Sequence, residues 1–143
     1  MELVYLWVEE YKNIKKQGFN FSPRFDCKYN EESNKLTIDE KKDYVSIFPD
    51  NINITAIVGE NGSGKSSICN ILIAPKNGII YVYQLNNSFY YFDSGVGTVK
   101  YPHRFIRFEL KGIEQIKFNY DFFSQEFRIG ESSYMNARLN YSV

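Results

Sequence analysis

The stretch Ile57-Val58-Gly59-Glu60-Asn61-Gly62-Ser63-Gly64-Lys65-Ser66 fits G-x-x-x-x-G-K-[ST] and constrains the fold more than any other part of the chain. Its glycines let the backbone reach positive φ, so that successive N–H groups turn toward one anion. The ammonium of Lys65 would meet the β- and γ-phosphates of a nucleotide and neutralise charge developing on the γ-phosphoryl group. The hydroxyl of Ser66 would hold Mg²⁺. Such a pattern carries weight only between an entering strand and a leaving helix. Ile52 to Val58 alternates apolar and polar residues, then turns continuously apolar, which predicts a strand in a sheet covered on both faces. Ile68, Ile71 and Leu72 share one helical face, which predicts a helix from Ser66 to Ile73, closed by Pro75 and the turn Lys76-Asn77-Gly78.

The rest of the chain reads mainly as β. Leu3 to Val8 is an apolar strand, Glu9 to Gln17 is polar, and Phe19, Phe21 and Phe25 alternate in a second strand that Pro23 sends to an edge. Leu36-Thr37-Ile38 begins a return strand, and Tyr44 to Phe48 reads as a short strand or a connection. Ile79 to Leu85 and Phe89 to Phe92 flank Asn86-Asn87-Ser88, a hairpin signal. Ile106, Phe108 and Leu110 alternate, as do Ile116, Phe118 and Tyr120. Residues 126–143 show no strong pattern and are expected to be loosely held. The expected class is α/β, with the phosphate-loop strand and helix set in a largely antiparallel sheet over residues 1–125.

Composition excludes several functions. Seventeen basic and seventeen acidic residues give a net charge of zero, so no overall field draws the chain to nucleic acid or to an anionic membrane. No apolar run approaches the roughly 20 residues that span a bilayer, and no leader pattern opens the chain. Asn53 and Asn86 head glycosylation triplets that mean nothing without secretion. Cys27 and Cys69 have no metal-ligand spacing and read as reduced thiols of a cytoplasmic protein. His103 is the only histidine, which rules out a histidine-rich metal site.

Gly59 to Ser66 resembles the phosphate loop of ABC-type AAA family ATPases of the SMC-like and OLD-like groups. The opening Leu3 to Ile14, with Tyr11-Lys12-Asn13-Ile14 followed by Phe19-Asn20-Phe21, is similar to the start of such a domain's N-terminal lobe. The resemblance spans residues 1 to about 125. It implies ATP and Mg²⁺ as cofactors, with Glu60, Asn61, Gly62, Ser63, Gly64, Lys65, Ser66 and Ser67 around the phosphates and Lys12, Asn13 and Ile14 near the nucleotide. It also implies dimerisation or a completing protein chain, DNA as a partner through the family alone, and a setting in DNA repair or phage defence.

Hydrolysis in that family needs two further motifs. One is an apolar strand ending in Asp-Glu, and the other resembles Leu-Ser-Gly-Gly-Gln. The nearest match to the first, Leu36 to Glu40, precedes the loop and has no apolar lead-in, so Asp39 and Glu40 read as surface charges. The second motif does not occur. Gln84, at the end of a strand, is a weak candidate for a glutamine touching Mg²⁺ or the attacking water, with a plain strand-end residue as the alternative. The chain therefore reads as an ATP-gripping lobe with little hydrolysis of its own. A GTPase or small kinase lacks support: no Asn-Lys-x-Asp occurs, and arginine is scarce. A non-enzymatic lobe that pairs with a partner chain remains the other reading.

Overall fold

In the computed structural model, residues 2–49, 52, 54–73 and 76–107 are described. They form β1 (Glu2–Tyr11), β2 (Ile14–Asn20), β3 (Phe25–Asn30), β4 (Lys35–Glu40), α1 (Lys65–Ile73), β5 (Ile79–Leu85), β6 (Ser88–Ser94) and β7 (Phe105–Arg107). Five strands make one sheet in the order β2-β1-β5-β6-β7, and β3 and β4 make a second. Every strand pair is antiparallel except β6 with β7.

The apolar runs fix the centre of the larger sheet. Val4 to Val8 of β1 and Ile79 to Tyr83 of β5 are buried without interruption, as strands covered on both faces must be. Their side chains divide between two sides by the period of two. Tyr5 and Trp7, with Ile80 and Val82, pack into a core shared with Phe25, Cys27, Tyr29, Leu36 and Ile38 of the β3–β4 hairpin. The intervening Leu6, Val8, Ile79 and Tyr81 point to the opposite side. There α1 is anchored by the Tyr81 hydroxyl, which donates to the Ile71 carbonyl at 3.1 Å. The hairpin itself alternates cleanly, with Phe25, Cys27 and Tyr29 buried and Asp26, Lys28 and Asn30 exposed.

Turn chemistry sets the registers. Asn86 and Asn87 adopt φ of 49° and 64°, the paired left-handed conformation of a two-residue hairpin loop. They align Leu85 with Ser88 and every pair back to Ile79 with Ser94. A second tight turn, at Lys12 and Asn13, aligns Tyr11 with Ile14.

The expected α/β class does not hold. Among the described residues seven strands stand against one helix of nine residues, so the chain is mostly β-sheet. The phosphate-loop strand expected at Ile52 to Val58 is the main error. Residue 52 and residues 54–60 form no strand, and Ile52, Ile54 and Val58 are exposed. Apolar character alone does not make a strand, because extended backbone needs a neighbour to accept and donate its hydrogen bonds. Between Ile54 and Val58 the tie to a neighbouring segment is the Thr55 hydroxyl, which donates to the Phe21 carbonyl at 2.9 Å.

The polar stretch before Phe19 holds a further difference. Lys15, Lys16 and Gln17 lie inside β2, whose side chains are largely solvated because β2 is the edge of the sheet. The alternation at Ile116 to Tyr120, Phe108, Leu110, the segment 126–143, Asn53 and Pro75 lie outside the described residues.

Candidate functional site

The loop from Gly59 to Gly64 runs directly into α1. Gly62 and Gly64 hold φ of 80° and 100°, conformations that L side chains resist. Gly64 is constrained a second time by its surroundings, since an added Cβ would lie 3.0 Å from Ile14 Cγ1 and 3.3 Å from Asn13 Nδ2. At Gly59 a Cβ would come within 2.5 Å of the Ser63 hydroxyl. The glycines therefore serve close approach as well as backbone conformation.

Gly64 is the residue before the helix, and its carbonyl accepts the Ile68 N–H at 3.0 Å. A serine or aspartate there would cap the helix with its own side chain; glycine has nothing to offer. No acidic residue occupies the first turn. The N–H groups of Gly64, Lys65, Ser66 and Ser67 make no hydrogen bond to any described residue. Four unsatisfied donors and the positive end of the helix thus gather at one mouth, an arrangement suited to an anion.

Lys65 folds back across this mouth. Its ammonium donates to the carbonyls of Gly59 and Glu60, each at 2.7 Å. The Glu60 carbonyl also accepts the Ser63 N–H at 3.2 Å, which closes the loop into a turn. Glu60, Asn61 and Ser66 have exposed side chains. The Ser66 hydroxyl is open to a ligand, and among the described residues no group of three or more His, Cys, Asp or Glu side chains gathers to hold a metal.

The β1–β2 turn braces the loop from the side. Asn13 donates its amide to the Gly62 carbonyl at 2.7 Å and accepts from the buried Ser67 hydroxyl at 3.0 Å. Ile14, buried, packs against Gly64. Two of the three residues carried over from the N-terminal resemblance therefore touch the loop. Lys12 does not; its ammonium lies 5.5 Å from the centre of the Tyr11 ring, a cation–π contact. The bridging role of Asn13 left no trace in the sequence, because it depends on a turn and a loop far apart in the chain.

Other candidates fall elsewhere. Gln84 pairs with Glu2, at the end of β1 remote from the Lys12–Asn13 turn, and accepts a hydrogen bond from Arg24. Asp39 and Glu40 are exposed at the end of β4. Cys69, on α1, is free and half-buried, and burial pushes its thiol above the ordinary range, so it stays protonated and unreactive at neutral pH. Among the described residues no helix is long and apolar enough to cross a membrane.

Comparison with family models, with curated proteins and with solved structures finds no match to this chain.

Proposed function

We propose that this chain binds a nucleoside triphosphate with Mg²⁺ through the loop Gly59 to Ser66, ATP being the triphosphate its resemblance to ABC-type ATPases implies. The observation that carries the reading is the set of four unbonded N–H groups at Gly64 to Ser67, in a mouth bridged by a lysine ammonium. Those donors fit the non-bridging oxygens of a phosphate group. Lys65 would exchange the Gly59 and Glu60 carbonyls for phosphate oxygens, a gain because an ammonium binds an anion more strongly than a neutral carbonyl. Ser66 would supply one oxygen to Mg²⁺, whose charge neutralises the β- and γ-oxygens when bound. The reading is of binding alone, since among the described residues the loop shows no group paired with a second one to activate water.

The test is thermal or chemical denaturation with Mg·ATP. At a free concentration 100 times the dissociation constant, binding should add about 2.7 kcal/mol of stability. Lys65→Ala should remove that gain while leaving the unliganded stability within about 0.5 kcal/mol. An unliganded parent chain indistinguishable from the one holding Mg·ATP would overturn the reading.

A second reading is supported by a separate observation. Val45, Ile47, Phe48, Ile52, Ile54 and Val58 are all exposed within one stretch of chain, and exposed apolar side chains in such number suit an interaction site. In that reading the domain is a non-enzymatic lobe completed by a partner chain.

A further inference from the structure

The sequence holds two Asn-Gly pairs, Asn61-Gly62 in the loop and Asn77-Gly78 in the turn before β5. An asparagine amide followed by glycine is open to attack by the next backbone nitrogen, because glycine has no side chain to shield it. We infer that Asn61-Gly62 is a site of spontaneous deamidation that disables the anion mouth, and that hydrogen bonding holds the same dipeptide at Asn77 inert. The chemistry stands without a ligand; its effect on binding rests on the phosphate-loop reading.

In the reaction the Gly62 nitrogen, its proton lost to base, attacks Cγ of Asn61. The C–N bond of the side-chain amide breaks, and the amide nitrogen leaves as ammonia with a proton from solvent. A succinimide ring results. Water then opens it at one of its two carbonyls. One opening gives aspartate, and the other gives isoaspartate, in which the main chain runs through the former side-chain carbon.

The two pairs differ in what surrounds them. Asn61 and Gly62 are both exposed, and a Cβ built on Gly62 would have nothing within 4 Å. Among the described residues neither the Asn61 side chain and carbonyl nor the Gly62 N–H makes a hydrogen bond. Asn13 does hold Gly62, but by the carbonyl, which belongs to the following peptide plane. The Lys65 ammonium, bonded to the adjacent Glu60 carbonyl at 2.7 Å, favours the anionic nitrogen. At Asn77 both reacting groups are engaged. Its Oδ1 accepts from the Ser94 hydroxyl at 2.9 Å, and the Gly78 N–H donates to the Ser94 carbonyl. Gly78 is buried, and the Glu9 carboxylate, 3.3 Å from where its Cβ would stand, opposes a negative charge there.

Either product places a carboxylate beside the donors gathered for an anion. Like charge then opposes the phosphates. Isoaspartate also lengthens the backbone by one carbon, which shifts the Gly62 carbonyl against the Asn13 amide that holds it.

Ageing the full chain at mildly alkaline pH, with peptide masses followed over time, tests this. A gain of about 1 Da should appear at Asn61 about tenfold faster than at Asn77, whose two bonds must open first. Ser94→Ala should speed Asn77 and leave Asn61 unchanged. Asn61→Gln, which would have to form a larger ring, should gain no mass at that position. Saturating Mg·ATP should slow Asn61 by about tenfold without altering Asn77. Asn61→Asp should bind Mg·ATP about tenfold more weakly than the parent. Equal rates at the two asparagines, or no gain at Asn61, would overturn the site. Asn61→Asp binding as tightly as the parent would overturn its effect on the mouth. A parent that binds no Mg·ATP while Asn61 still converts first sinks the phosphate-loop reading and leaves the modification site standing.

Discussion

A methyl group at Gly64 meets two obstacles, a φ of 100° and Ile14 Cγ1 at 3.0 Å, whereas one at Gly62 meets only a φ of 80° in open space. Backbone strain of this kind costs about 1–3 kcal/mol, and the contact with Ile14 adds to it. Gly64→Ala should therefore lower the urea-derived stability by about 1 kcal/mol more than Gly62→Ala does. Equal losses would show that Ile14 is not pressed against the loop. A second residue-scale effect concerns buried acids. Burial pushes the Tyr5 hydroxyl from its ordinary 10.0 to about 12, against the hydrogen bond that the Tyr29 N–H donates to it. Burial, reinforced by the Asp26 carboxylate, pushes the Cys27 thiol from 9.0 to about 12. Both groups keep their protons longer in the folded chain than in the unfolded one. Their contribution is complete below about pH 9 and is lost as pH rises toward about 12. The urea midpoint should hold steady from about pH 7 to 8.5 and fall from about pH 9 upward. In Tyr5→Phe the fall should be shallower above about pH 10. At this scale the sequence was informative wherever a motif prescribes the residue, as at Lys65 and Ser66. At Asn13 a resemblance pointed to the residue but not to its two partners, which are chosen by the folded chain.

At the scale of single elements, α1 is held to the sheet by one phenol and to the β1–β2 turn by one amide. The Tyr81 hydroxyl donates to the Ile71 carbonyl at 3.1 Å and accepts the Lys76 N–H at 3.3 Å. Tyr81→Phe keeps the ring and should cost about 1–2 kcal/mol, with faster amide exchange at the end of α1 as its signature. At the other end of the helix, Asn13→Asp keeps an acceptor for Ser67 but loses the donor to Gly62. It should loosen the loop, and so weaken the nucleotide binding proposed for it, while Ser67 stays satisfied. Strands with buried faces were partly legible: the apolar run of β1 and the Asn86-Asn87 turn before β6 carry their patterns in the sequence, whereas the second strand expected over Phe19 to Phe25 divides between the end of β2 and the start of β3. The stretch ahead of the loop was misread because periodicity records which residues could be buried. Whether a neighbouring strand is present to bury them is a separate fact, and for Ile54 to Val58 none pairs with it among the described residues. The polar β2 was missed for the converse reason, since an edge strand can be solvated over most of its length.

For the whole molecule, the exposed apolar side chains of Val45, Ile47, Phe48, Ile52, Ile54 and Val58 predict association. The weight-average mass in sedimentation equilibrium should rise with concentration, and Val45→Glu with Ile47→Lys should return the chain to monomer. Mass independent of concentration in the parent would leave the partner reading to a different chain. The arrangement of the sheet was only partly accessible from the sequence. Its antiparallel pairs follow from hairpins, but placing β1 between β2 and β5, and bringing β7 in parallel to β6, are choices made across long stretches of chain.

The position of β1 has a kinetic consequence. Two hairpins, β1–β2 and β5–β6, can zip up locally, but the seam that joins Trp7 to Ile80 must wait for the ends of a long excursion to meet. Asn13 belongs to the first hairpin and Tyr81 to the second, so the anion cup has both its braces only after that seam is sewn. The triphosphate proposed for the loop would find its site unfinished until that seam has closed. Such a ligand would retard unzipping without hastening assembly, acting as a latch on the finished molecule and not as its template.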